Sequence, residues 1–325
     1  MDNSSNITSL ISAELEDFRQ VFAGSLSGSS NPLLDQVIAH LRRKQGKLMR
    51  PILVLLTARL HGNIQPATLH AAVSLELLHT ASLVHDDVVD ESEERRGQPS
   101  VNTAFGNKVA VLTGDYLLAT ALLQVEQTRN HDIIEVGSLL GQDLAEGELL
   151  QLSNVRNLSY SEQEYFDVIR KKTAALFAAC TKSAALSVGA DAEWVEKSRL
   201  FGEYTGICFQ IKDDIFDYYD NPQIGKPTGN DMLEGKLTLP VLYVLNARPN
   251  QEVQQLAARV KQGMATPDEI VRLVALTKAE GGIEYATQVM YAYRDRALQL
   301  LAYLPETPVR RALESYLDYV VEREK

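Results

Sequence analysis

The chain has 325 residues, of which 45% are hydrophobic and 23% charged, and its formal net charge is −11. That length can bury a large core, as one big domain or two ordinary ones, with the balance of a soluble globular protein. The negative charge excludes nucleic acid as principal partner, since a phosphate backbone demands a basic surface. Cys180 and Cys208 both lie in apolar stretches, which excludes a disulfide framework.

Residues 1–9 are polar, with no basic region and no apolar run, so no secretory signal is expected and the chain is expected in the cytoplasm. Helices are predicted over residues 10–23, 33–43, 52–61, 66–89, 107–127, 132–152, 161–188 and 191–219. After Pro240 they follow over 241–247, 251–262, 267–278, 282–302 and 307–323. No proline falls between Pro99 and Pro222, a stretch rich in Ala, Leu, Glu and Gln, which favours long helices. Ser161 with Glu164 forms a capping-box pattern, and Thr266-Pro267 places a cap before an N1 proline. Alternating β-branched runs are nearly absent, no linker splits the chain and no repeat is present. The best candidate for a membrane span, residues 173–190, is interrupted by Lys182 and built of small residues, so a buried helix is expected there and no transmembrane segment. The fold class expected is all-α, one domain over residues 1–325, with roughly ten or more helices.

Two acidic pentads stand out. Asp86-Asp87-Val88-Val89-Asp90 and Asp213-Asp214-Ile215-Phe216-Asp217 repeat one pattern, each after an apolar helical run. Helical spacing puts Asp86 and Asp90 on one face, and Asp213 and Asp217 likewise. Like charges so placed each cost about 0.2–0.5 kcal/mol, and the first pair sits near a helix C-terminus that disfavours anions. Oxygen-rich clusters of this kind suit Mg²⁺.

Basic and polar groups flank both pentads. His79 falls on the stripe of Asp86 and Asp90, about 20° away on the helical wheel. Arg95 and Arg96 follow the first pentad, and paired guanidiniums suit diphosphate oxygens. Phe209 and Gln210 precede the second pentad by one turn. Downstream, Gly225-Lys226-Pro227 and Gly235-Lys236 bracket Asp231; upstream, Lys172-Thr173 opens an apolar helix. The loop from Gly229 to Lys236 fails as a P-loop, having one residue too many and Leu237 where a hydroxyl belongs.

The run from Glu76 to Asp90 followed by Arg95-Arg96-Gly97, with the run from Phe209 to Asp217, resembles the two aspartate-rich regions of trans-isoprenyl diphosphate (polyprenyl) synthases. Gly46 to Pro51, Lys172-Thr173 and the segment from Gly225 to Pro240 match further motifs of that family in the right order, whereas Gln45 and Leu48 depart from it. The resemblance implies the isoprenoid synthase fold around a central cavity, a homodimer, and about three Mg²⁺ per active site. It implies that Asp86, Asp87, Asp90 and Asp213, with Asp214 and Asp217 close by, hold Mg²⁺ on an allylic diphosphate. It further implies that Arg95, Lys172, Lys226 and Lys236 contact that diphosphate, and that Lys47, Arg50, His79 and Arg96 hold isopentenyl diphosphate. Thr173 and Gln210 would then orient dipoles at a nascent carbocation, and Phe209 would line the cavity. Ala81 and Ser82, at positions where bulk stops chain growth in the family, are small, which implies a medium- to long-chain all-trans product such as a quinone tail.

Rival readings are a short-chain synthase, a class I terpenoid cyclase, an HD-type phosphohydrolase built on His85-Asp86, and a non-catalytic subunit of a heteromeric synthase. The repeated pentad disfavours the cyclase, the scarcity of His disfavours the phosphohydrolase, and intact pentads disfavour the subunit.

Overall fold

The computed structural model describes residues 7–323 except 29, 44–45, 156, 158, 220–227 and 249. Among them helices dominate. The chain runs α1 (Ser12–Ser25), α2 (Pro32–Arg42), α3 (Met49–His61), α4 (Pro66–Val89), β1 (Glu94–Arg95), β2 (Gln98–Pro99), α5 (Val101–Phe105), α6 (Asn107–Glu126), α7 (His131–Val155) and α8 (Glu162–Ile169). A π-helical turn (Arg170–Ala174) leads into α9 (Ala175–Ser187), followed by α10 (Ala192–Phe216), α11 (Asn230–Leu233), α12 (Leu239–Ala247), α13 (Gln251–Lys261), α14 (Pro267–Ala279), α15 (Gly282–Leu301) and α16 (Pro308–Glu322). The all-α class is as expected. The predicted helix over 161–188 proves to be two helices joined by the π turn, and the short α5 and α11 escaped prediction because a single turn carries no periodicity.

Local chemistry explains the boundaries. Pro66 starts α4 at N1, and Gln65 and Thr68 cap it reciprocally. Thr266 and Glu269 form the same reciprocal box ahead of Pro267 in α14, an arrangement worth about 1 kcal/mol. Ser161 Oγ accepts from the Glu164 amide at 3.3 Å, capping α8. After α4 ends, β1 and β2 pair antiparallel through a two-residue turn, Arg96-Gly97. Both turn residues have positive φ, 56° and 67°, as a type I′ hairpin requires. Glycine adopts this freely; Arg96 is strained by about 1–3 kcal/mol.

The chain divides into two compact units, each assembled from three segments. The first comprises residues 1–141, 176–202 and 303–316. Here α4 packs along α6 and is also contacted by α1, α3 and α5. Its core includes Leu53, Leu55, Leu56, Leu77, Leu117 and Phe177, all with negligible exposure. The second comprises residues 142–175, 203–302 and 317–325. In it α12 packs on α15, α14, α13 and α8, around Ile207, Ile211, Leu239, Val244 and Leu273. Among the described residues two helices, α4 and α6, are long and apolar enough to cross a membrane, and the segment 173–190 is not one of them. Most of the apolar stretch of α4 is buried within the first unit; less than half of that of α6 is.

Candidate active site

In the first unit, Asp86 and Asp90 stand one turn apart at the C-terminal end of α4, the first half-buried and the second exposed. No basic residue lies in the last turn of α4, so compensation for these anions must come from another element. It comes to Asp87, which points about 100° away from Asp86 and is only 2% exposed. Its Oδ1 accepts from Nε of Arg95 at 2.7 Å and lies 2.6 Å from Nη2. Asp87 is thus turned inward and fixes the first arginine of the hairpin.

Two to three turns earlier on α4 lies a second group. Glu76 is buried, and its burial raises the carboxyl pKa against the opposing influence of Arg50 and Arg96. Burial, then the positive charges of Arg50, Arg96 and Arg95, holds the imidazole of His79 well below its ordinary value, so it is neutral at pH 7. The Arg96 guanidinium lies directly over Gly46, where any Cβ would sit 2.8 Å from Nη2. Lys47, next to that glycine, is exposed, and Leu48 takes the left-handed conformation (φ 53°) just before α3 begins. Arg50 lies over the Phe177 ring at 5.5 Å. Ala81 is 3% exposed, and Ser82 is half-buried with its hydroxyl donating to the His79 carbonyl at 2.9 Å. A cavity of about 290 Å³ adjoins the cluster, lined by Glu76, Asp87, Arg95, Arg96 and Gly46 together with Phe18, Phe22, Ile38 and Val84.

In the second unit the three acids of the other pentad have separate partners. Asp213 accepts from Arg323 Nη2 at 2.7 Å. That arginine also donates to the Phe209 carbonyl at 2.9 Å and stacks over the Phe209 ring at 3.9 Å. Phe209 therefore backs a cation. Asp217 accepts the backbone N–H groups of Asn230 and Asp231 at 3.0 and 3.2 Å, capping α11. Asp214 is 3% exposed; it accepts from Tyr165 Oη at 2.6 Å and from Gln210 Nε2 at 2.8 Å. Burial, followed by the charge of Asp231, pushes its carboxyl well above the usual range. Asp214 and Asp217 each accept two hydrogen bonds from other residues of the second unit.

The π turn lifts Lys172 and Thr173 out of helical register, a distortion often found at functional sites. Its backbone is approached so closely by α7 that a Cβ at Gly147 would lie 2.9 Å from the Lys172 nitrogen. Lys172 pairs with Glu148, and the Thr173 hydroxyl donates to Gln210 Oε1 at 2.6 Å. Lys236 pairs with Glu234. A cavity of about 220 Å³ gathers Lys172, Thr173, Gln210, Asp214, Asp231 and Lys236. Lys226 lies outside the described residues. Sequence reasoning missed Glu76, Tyr165 and Arg323; none shows a local signal, because each acts through a partner distant in the chain.

Among the described residues, no three His, Cys, Asp or Glu side chains converge as a ready-made metal site. Mg²⁺ does not need one: it keeps several waters and binds through one or two carboxylates plus substrate phosphates. Asp86 with Asp90, and Asp213, offer all-oxygen donors of that kind at the protein surface, so the residues fit the ion.

The sequence profile of the family described as polyprenyl synthetase matches residues 31–277. The chain is 34% identical over 322 residues to octaprenyl diphosphate synthase of Escherichia coli K12, covering 96% of this chain and 99% of that one. Among solved structures it is similar to geranylgeranyl pyrophosphate synthase from Bacteroides thetaiotaomicron, with 60% identity, TM-score 0.88, and 99% and 100% of the two chains covered. It is also similar to a decaprenyl diphosphate synthase from Rhodobacter capsulatus, with 37% identity, TM-score 0.92 and 99% of each chain covered.

Proposed function

The chain belongs to the polyprenyl synthetase family, and on that premise we propose that it condenses isopentenyl diphosphate with an allylic diphosphate, such as farnesyl or geranylgeranyl diphosphate, to make a medium- to long-chain all-trans polyprenyl diphosphate. One observation carries the reading. In a protein of net charge −11, the charges of Arg50, Arg95 and Arg96 all bear on His79, adding to the burial that chiefly holds its imidazole neutral. So concentrated a positive field, steadied by one buried Glu76, is an anion site.

Within the first unit, Arg50 and Arg96 bind a diphosphate and neutral His79 supplies one N–H donor. Asp87 holds Arg95 in place, and Gly46 leaves room for the Arg96 fork. Within the second unit, Lys172 and Lys236 place cations in one cavity, where they offset charge that develops on a departing diphosphate. The Thr173 hydroxyl and the Gln210 amide aim fixed dipoles into the same cavity, against the positive charge left on the allylic carbon. Asp86, Asp90 and Asp213 are the carboxylates for Mg²⁺, which when bound supplies Lewis-acid neutralisation of the leaving group. The chain's own residues do the rest by binding and orientation, and no nucleophile is required.

A homodimer is the proposed assembly. Leu112, Leu118, Leu122 and Leu123 of α6 are 68%, 37%, 52% and 67% exposed, an apolar stripe that a second copy would cover. The cytoplasm remains the proposed location. Small residues at Ala81 and Ser82 support a long product, as do the octaprenyl and decaprenyl names of two relatives. The geranylgeranyl name of the 60% identical structure supports a shorter one. Incubation with isopentenyl and farnesyl diphosphates and Mg²⁺, followed by chain-length analysis, decides. Products of seven or more isoprene units are expected; a twenty-carbon product would establish the shorter reading, and a cyclic hydrocarbon or bare phosphate release would overturn the family chemistry.

A further inference from the structure

We propose that Tyr165 is a positioning residue for the reaction, acting through Asp214 to set the direction of the Gln210 amide and the Thr173 hydroxyl. The inference rests on the proposed prenyl transfer and adds to it a residue that lies in none of the motifs.

Four side chains form one unbranched series. Tyr165 Oη is 2.6 Å from Asp214 Oδ2, Asp214 Oδ1 is 2.8 Å from Gln210 Nε2, and Gln210 Oε1 is 2.6 Å from Thr173 Oγ1. An amide can be turned over about its last bond at little intrinsic cost, so something must choose between its two faces. Here the carboxyl chooses. Its Oδ1 takes the amide N–H₂, which leaves the Gln210 oxygen for Thr173, and the Thr173 proton then points at Gln210. The hydroxyl oxygen of Thr173 is thereby left to present its lone pairs elsewhere, the polarity that suits a cation in the cavity both residues line.

The carboxyl can choose only while it is itself held. Asp214 is 3% exposed and Tyr165 8%, and the phenol is the partner that the fold supplies to Oδ2. Removing Oη leaves Asp214 Oδ2 without its partner, and a buried unsatisfied oxygen is costly enough to drive rotation of the carboxyl. Rotation moves Oδ1 off the amide, and the series loses its direction. Tyr165 comes from α8, ahead of the π turn that carries Thr173, whereas Gln210 and Asp214 share α10. The phenol thus ties the two reacting-side elements together in the wall of the cavity.

The test uses the full chain with Mg²⁺. Tyr165→Phe is expected to lower kcat about ten- to a hundredfold, with KM for isopentenyl diphosphate within about twofold of the parent and thermal unfolding little changed. Asp214→Asn presents an N–H₂ where an oxygen accepted, and should give a similar kcat loss; the double variant should lose no more than the worse single, since both break one series. In metal-free protein labelled with ¹⁵N-glutamine, the side-chain amide resonance assigned through Gln210→Glu should move in Tyr165→Phe. Unchanged kcat in a folded Tyr165→Phe, additive losses in the double variant, or an unmoved Gln210 amide would each overturn the inference while leaving the prenyl transfer standing. Should Tyr165→Phe not fold, Asp214→Asn alone decides, and undiminished kcat there overturns it. A parent protein that makes no prenyl product removes the underlying function, whatever the variants do.

Discussion

The imidazole of His85 occupies the place that a side chain at residue 114 would need. A Cβ on Gly114 would lie 2.1 Å from His85 Nε2 and 2.4 Å from Cδ2. The ring is further held by the Val111 carbonyl at 3.1 Å and by Asp115 at 3.4 Å. Glycine on α6 therefore lets α4 come close at the residue immediately before the first aspartate. Gly114→Ala should force ring and helix apart, lowering stability by about 1–3 kcal/mol and shifting Asp86. Denaturant unfolding and the Mg²⁺ dependence of activity check this; full stability with parental activity would contradict it.

Arg95 and Asp87 differ in what their loss exposes. Arg95→Met leaves a nearly inaccessible carboxylate without its cation, whereas Asp87→Asn keeps an acceptor of the same shape for the guanidinium. The arginine variant should be the less stable of the two by about 1–3 kcal/mol, a value discounted because Arg95 itself is about a third exposed. Parallel urea titrations settle the order.

The leucine stripe of α6 predicts association. Leu122→Glu with Leu123→Glu places charges on side chains already half or more exposed, so folding should survive. Sedimentation should then show the parent as a dimer and the double variant as a monomer. A monomeric parent would remove the assembly proposal.

Both cysteines should be inert. Burial pushes the thiols of Cys180 and Cys208 up to about 12. Because the reactive species is the thiolate, native protein at pH 8 should not react with a disulfide reagent, and both thiols should react once urea is added. The sign for stability follows from linkage: unfolded thiols ionise near pH 8.5–9 while folded ones stay protonated, so stability falls as pH rises above that range toward 12.

His79 acts in the opposite pH window. Its folded-state value is depressed, so below the ordinary value of about 6.5 the unfolded chain takes up a proton that the folded chain refuses. Stability conferred by this group is complete above that pH and declines as pH falls, by at most about 1.4 kcal/mol per unit. The difference between the stability–pH curves of parent and His79→Gln isolates it; parallel curves from pH 7 to 5 would contradict the burial of a neutral imidazole.

Some of this molecule was written locally. Pro66 and the Gln65–Thr68 pair start α4, and Gly97 beyond it permits the tight turn, so periodicity and punctuation alone located the helix that carries the first pentad. The one-turn spacing of Asp86 and Asp90 likewise followed from helix geometry without any tertiary information. The same geometry already separated Asp87 from them by about 100°, but which partner it would meet was not legible: Arg95 reaches it only because the chain reverses through a two-residue hairpin too short to register as strands.

What folding decided is the partner that each acid meets. Asp213, Asp214 and Asp217 are alike in sequence, yet one meets Arg323, one Tyr165 and Gln210, and one the first amides of α11. Local propensity depends on residues a few positions away and so is fixed by sequence at short range. Burial, and the partner that a buried polar group must then find, depend on elements brought together from distant parts of the chain, and only the packed structure assigns them.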